Sequence, residues 1–182
     1  SDELKNKNFK EYTPRFEYVY ERYLKKAIRN EEGTLNSHSD DFDSWPEYRV
    51  VYRKGATMLF NLQYVLGDSL FFESMNYYFE KWKFCHPYPE DFRKAIIEFT
   101  QVDLNWFFDE WLETSKIIDY AIKSVKRLKK NDNYIVKFKR IGEMQMPIDF
   151  SVIAKSDSTY NFHIPNTWFV KETDATVLPK WF

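Results

Sequence analysis

Apolar positions recur at helical spacing up to about residue 119 and alternate with polar ones, as in strands, beyond it. The first helix is predicted to start at Thr13-Pro14, an N-cap followed by proline in the first turn. Phe16, Tyr20, Tyr23, Ala27 and Ile28 would share one face, with the helix ending at Asn30 to Gly33 and a polar loop following to about Asp43. Ser44-Trp45-Pro46-Glu47 has capping-box spacing and opens a second helix that carries Val51, Met58, Leu59, Leu62, Val65 and Leu66 and stops at Gly67. Asp68 is expected to cap a third helix that reaches Trp82, Pro89 to open a fourth to about Phe99, and Asp103 to cap a fifth to about Thr114.

From Tyr120 the period is two. Tyr120, Ile122 and Val125 begin it, Lys130 to Asn133 reads as a turn, and Tyr134, Val136 and Phe138 resume it. Ile148-Phe150-Val152 and Tyr160-Phe162-Ile164 flank a turn at Ser156 to Ser158, and Trp168 to Val170 follows Pro165-Asn166 as a further strand. The final Pro179-Lys180-Trp181-Phe182 reads as a truncated strand. The expected fold class is α+β, with a helical bundle over 1–119 and an antiparallel β domain, sandwich-like and partial, over 120–182.

Composition changes this picture in two places. Aromatic residues reach 20% of the chain, which calls for a large core, a binding surface or an interface. Glycine occurs four times only, so each marks a backbone requirement. A net charge of −1 gives no global electrostatic case for nucleic acid. Lys123 to Arg140 is locally basic, eight Lys or Arg against Asp132, and reads as the solvated face of a hairpin, with an acidic partner or a domain interface as the alternative. There is no apolar run of about 18 residues that would span a bilayer.

Candidate chemistry narrows by elimination. The single Cys85 excludes an internal disulfide and a cysteine-rich zinc site. His38, His86 and His163 have no second His three or four positions away, so the helical His pair of a zinc peptidase is absent. The chain contains no Gly-x-Ser-x-Gly and no Gly-rich phosphate loop. Asp40-Asp41 and Asp109-Glu110 are ordinary surface pairs for loops and helices.

One stretch points further. Val51-Tyr52-Arg53-Lys54-Gly55-Ala56, followed by Met58-Leu59 and Leu66-Gly67-Asp68, resembles the Tyr-x-Lys-Gly-Ala segment of the aminopeptidase N-like family of gluzincin zinc metallopeptidases. The order downstream is similar: Phe71-Phe72, Tyr78, Trp82, His86-Pro87-Tyr88-Pro89-Glu90-Asp91-Phe92, then Asp103-Leu104-Asn105-Trp106-Phe107-Phe108-Asp109-Glu110-Trp111-Leu112. The resemblance implies the C-terminal half of a thermolysin-like catalytic domain leading into a β domain, acting on peptide substrates. It implies zinc in the parent enzyme, held by a His-Glu-x-x-His helix and a third Glu in an upstream half that this chain does not contain. No metal ligand and no bound zinc are therefore expected here, and this chain alone is expected to be inactive.

By the same resemblance Tyr52 is the catalytic tyrosine, whose hydroxyl faces the metal across the scissile carbonyl and donates to the oxyanion as it forms. A phenol suits this because it is neutral at pH 7 and rigidly carried. Gly55 and Ala56 share a helical face with Tyr52 and would let a neighbouring helix approach closely. Tyr48 could line the same cleft or equally belong to the core, Arg53 and Lys54 read as helix-surface or interdomain charges, and Phe71, Phe72, Trp106, Phe107, Phe108 and Trp111 read as core. The alternative is a non-catalytic module that binds peptide or carbohydrate through Tyr160, Phe162, Trp168 and Trp181.

Overall fold

The computed structural model describes residues 8–29, 31, 33–38, 40, 45–128, 133–155 and 157–169. The chain divides into two compact units, Ser1–Ser115 and Lys116–Phe182. The first contains the helices α1 (Asn8–Ala27), α2 (Trp45–Leu66), α3 (Asp68–Trp82), α4 (Pro89–Thr100) and α5 (Asn105–Glu113). The second contains the strands β1 (Tyr120–Arg127), β2 (Tyr134–Arg140), β3 (Ile148–Ile153) and β4 (Thr159–Ile164). The α+β class expected from periodicity is the class observed.

The short α5 is the centre of the helical unit. Phe107, Phe108, Trp111 and Leu112 on it are buried, as is Leu104 just before it. Aromatic contacts radiate from this helix. Trp111 meets Tyr23 of α1 with ring centroids 6.3 Å apart. Phe108 meets Phe92 of α4 edge-on at 5.8 Å, and Phe92 in turn meets Tyr78 of α3 at 4.9 Å. On the outside of the same unit, Arg93 of α4 reaches Asp109 of α5 at 2.6 Å and also donates to Asn105.

Lys81 of α3 reaches Glu98 of α4 at 2.5 Å, and the Tyr77 hydroxyl donates to the same carboxylate at 2.8 Å. The Lys81 hydrogen bond, then that of Tyr77, hold the Glu98 carboxyl below its usual value. Burial pushes the phenols of Tyr20 and Tyr78 up, with the Asp91 charge adding to the second.

Several boundaries differ from those read off the sequence. α1 starts at Asn8, so Pro14 lies inside it rather than in its first turn; proline there removes one backbone hydrogen bond from an otherwise continuous ladder. α1 ends at Ala27, which leaves Ile28 beyond the helix and exposed. The expected cap Ser44 lies outside the described residues. α2 stops before Gly67, as its φ of 75° requires of a residue without Cβ. Gly67, not Asp68, is the N-cap of α3; the Asp68 carboxylate instead accepts from the Gln63 amide at 2.9 Å. Asp103 precedes Leu104, the N-cap of α5, and its carboxylate accepts from the Asn105 amide at 3.1 Å. Phe72 is the clear exception to the expected core. It is exposed while Phe71 is buried, because adjacent helix positions diverge by about 100° and only one can face the core.

In the second unit β1 pairs antiparallel with β2, with a bulge between Ile122 and Ser124, and β3 pairs antiparallel with β4. Phe138 of β2 meets Phe150 of β3 at 4.9 Å, and Phe150 stacks on Phe162 of β4 at 5.0 Å, so three rings join the two hairpins. The Tyr120 hydroxyl accepts from the Met146 amide at 2.9 Å and fastens the connection between hairpins to β1. Lys123, Lys126, Arg127, Lys137 and Lys139 are exposed, the solvated hairpin face that their spacing suggested. Trp168 lies in a short 3₁₀ helix, Asn166–Phe169, rather than in a strand. Pro165-Asn166 begins a turn closed by a hydrogen bond from the Trp168 amide to the Pro165 carbonyl. Val170 and the final residues, including Trp181, lie outside the described residues.

Candidate active site

α2 presents two faces around the Tyr52 segment. Residues two apart on an α-helix differ by about 200°, so Tyr52 and Lys54 point almost oppositely. Tyr52 is 65% exposed, and Lys54 is 0% exposed. The expectation that Lys54 is a surface or interdomain charge is thus overturned. Its ammonium donates to the Gly33 carbonyl at 2.8 Å and to the Thr114 carbonyl at 2.6 Å. These acceptors belong to different segments, the loop after α1 and the residue that ends α5. Asn36 links the same two segments directly: its amide donates to the Leu112 carbonyl at 3.1 Å and its side chain to Glu113 at 3.0 Å. The loop, the end of α5 and the middle of α2 therefore meet at one junction, with the Lys54 Nζ inside it.

The neighbouring inward positions Thr57, Met58 and Leu62 are of another kind. Met58 and Leu62 are buried apolar side chains, and the buried Thr57 hydroxyl donates back to the Arg53 carbonyl at 2.9 Å. Arg53 is half-buried. On the outward side a Cβ placed on Gly55 would meet nothing within 4 Å. Tyr52 and the open space at Gly55 share this side, as three-residue spacing demands. The side chain of Tyr48 lies outside the described residues.

Each histidine has its own surroundings. His38 is exposed in its loop, where its Nδ1 accepts from the Asp40 amide at 3.2 Å. His86 is exposed between α3 and α4, and His163 on β4 lies 2.7 Å from Asp149 on β3. Among the described residues no group of three or more His, Cys, Asp or Glu side chains stands where it could hold a metal. These residues do not fit a zinc site, and no step through a metal is assigned to them. Among the described residues no helix is long and apolar enough to cross a membrane.

Lys54 is the residue whose place the sequence reading missed. The signal was available in its spacing, since Lys54, Met58 and Leu62 fall at i, i+4 and i+8 on one face, and the last two are apolar positions of the predicted second helix. Its charge alone had argued for the surface.

Comparison with known proteins bears directly on the helical unit. The family model described as Peptidase family M1 domain matches residues 4–111, more than half of the chain and inclusive of Tyr52, Lys54 and Gly55. Aminopeptidase N of Lactococcus lactis subsp. lactis is 32% identical over 77 residues, which cover 42% of this chain and 9% of that relative. Aminopeptidase N of Lactobacillus helveticus is 32% identical over 73 residues, 40% of this chain and again 9% of the relative. The chain thus spans about a tenth of the length of the curated relatives it matches. No solved structure gives a significant match. On the match over residues 4–111, which takes in Gly33, Asn36, Tyr52 and Lys54, the chain belongs to peptidase family M1, the aminopeptidase N-like metallopeptidases.

Proposed function

We propose that this chain forms part of a zinc-dependent metalloaminopeptidase that removes N-terminal residues from peptides, and that Tyr52 supplies a catalytic hydrogen bond. Residues 1–119 would belong to the catalytic domain, and 120–182 to a β domain that follows it. The observation that carries the reading is the placement of Tyr52: exposed on a face of α2 left open at Gly55, with Lys54 buried directly behind. As water adds to a peptide carbonyl, negative charge grows on its oxygen. A neutral phenol O–H donating there stabilises the transition state more than the ground state. The 182 residues contain no His-Glu-x-x-His motif, so the chain by itself is expected to be silent.

The test compares the full-length gene product with the isolated chain on short peptides whose N-terminus is free or acetylated. The full-length product is expected to release the N-terminal residue from the free peptide only, and the isolated chain from neither. Failure of the full-length product to release residues would contradict the assignment. So would stoichiometric zinc bound by the isolated chain through His38, His86 or His163.

A second reading, a non-catalytic peptide- or carbohydrate-binding module, is favoured by the exposure of Tyr160, Phe162 and Trp168. It would be preferred if the full-length product hydrolysed nothing yet lost ligand binding on replacement of these rings by alanine.

A further inference from the structure

We propose that Lys54 is a positioning residue for Tyr52, its ammonium acting as a pin that fixes the rotation of α2 about its own axis. This rests on the catalytic reading of Tyr52 above and extends it to a residue that touches no substrate.

Three observations carry it. First, Lys54 is completely buried, yet its Nζ donates to two carbonyls from separate segments, Gly33 and Thr114, at 2.8 and 2.6 Å. Burying an ammonium costs several kcal/mol before its hydrogen bonds offset the loss of water, whereas methionine would fill similar space without that cost. What the charge adds is direction. Second, Met58, Leu62 and Thr57, buried on the same side of α2 as Lys54, supply little rotational constraint. Met58 and Leu62 pack by non-directional contacts, and Thr57 bonds within its own helix. Third, the segments that receive the pin are themselves joined through Asn36 to Leu112 and Glu113, so it anchors to a frame already tied together.

The leverage is large. A tyrosine hydroxyl stands roughly 9 Å from a helix axis whose Cα radius is about 2.3 Å, so a rotation of about 20° carries it about 3 Å. A misplacement of about 1 Å at a reacting group can cost about 10²-fold in rate. Two hydrogen bonds on the opposite side of the helix resist that rotation.

The test is a double-mutant cycle in the full-length gene product: wild type, Lys54→Met, Tyr52→Phe and the double variant, with kcat and KM measured on a peptide with a free N-terminus. Lys54→Met is expected to lower kcat at least about tenfold with KM changed less than about twofold, the signature of a transition-state interaction. In the Tyr52→Phe background the same substitution is expected to change kcat less than about twofold, because the group it positions is already gone. Equal fold losses in both backgrounds would overturn the pin and leave Tyr52 in place. A Tyr52→Phe variant with wild-type rate would instead overturn the reading on which the pin rests. If Lys54→Met does not fold, the cycle is repeated with Lys54→Arg, whose guanidinium still donates to both carbonyls, and kcat is expected within a few-fold of wild type. A protein that folds with neither Met nor Arg at position 54 overturns the proposal, since Lys54 would then hold the fold rather than the phenol.

Discussion

Phe71 and Phe72 are adjacent on α3 and differ almost only in environment, 7% against 56% exposed. Phe71→Ala empties a site in the helical core and should cost about 3–5 kcal/mol. Phe72→Ala loses chiefly its edge contact with Phe71, at a centroid separation of 5.3 Å and 71° between planes. Such a contact is worth up to about 1.5 kcal/mol, and the better helix propensity of alanine returns about 0.5 kcal/mol. The expected difference is therefore at least about 2 kcal/mol in the same helix, at neighbouring positions, for the same chemical change. For a unit of this size, 1 kcal/mol moves the melting point by about 4 °C. Phe71→Ala should lower it by at least about 10 °C, and Phe72→Ala by less than about 4 °C. The five helices all lie in the first unit, so the helical circular dichroism signal follows that unit's melting. A Phe72→Ala melting point depressed as far as that of Phe71→Ala would refute the inward and outward assignment of the two rings.

Other outcomes follow from the same structure. Gly55→Ala should stabilise the isolated chain by about 0.5–1 kcal/mol, because a helical glycine gains a Cβ that meets nothing. In the full-length product it should lower kcat if a neighbouring segment closes on that face, which paired melting and rate measurements would show. At Gly142 a Cβ would stand 2.2 Å from the Ile117 carbonyl oxygen, so Gly142→Ala should destabilise the β unit by about 1–3 kcal/mol, read from loss of its amide protection in hydrogen exchange. The Glu98 carboxyl should titrate below the usual carboxylate value and move up in Lys81→Met, followed by NMR of its carboxyl carbon. Since its pKa is lowered by folding, any stability it lends is present above its unfolded pKa and is lost as pH falls through its folded pKa. The exposed pair makes that effect small.

Much of the fold was legible because the sequence is locally consistent. Gly67 ends α2 where only a residue without Cβ accepts the backbone, Pro89 opens α4, and the change from helical to strand period near Tyr120 coincides with the first strand. The misses have physical causes. Pro14 was read as a helix start, although the flanking segment tolerates proline within α1. Trp168 follows Pro165, and a local 3₁₀ turn satisfies its amide better than a strand without a partner would. The Phe71-Phe72 pair cannot be divided by hydropathy, because either ring could have faced the core. At the site, motif spacing marked Tyr52, but the burial of Lys54 depended on carbonyls at Gly33 and Thr114, far away in sequence and visible only once the chain is folded.

The most direct measurement is the steady-state rate of the Tyr52→Phe full-length product on a peptide with a free N-terminus, set beside its helical signal and zinc content. Losing one hydroxyl aimed at a developing oxyanion should lower kcat by about 10²–10³ while KM, folding and bound zinc stay near wild type. A kcat equal to that of the wild type would contradict a catalytic role for Tyr52.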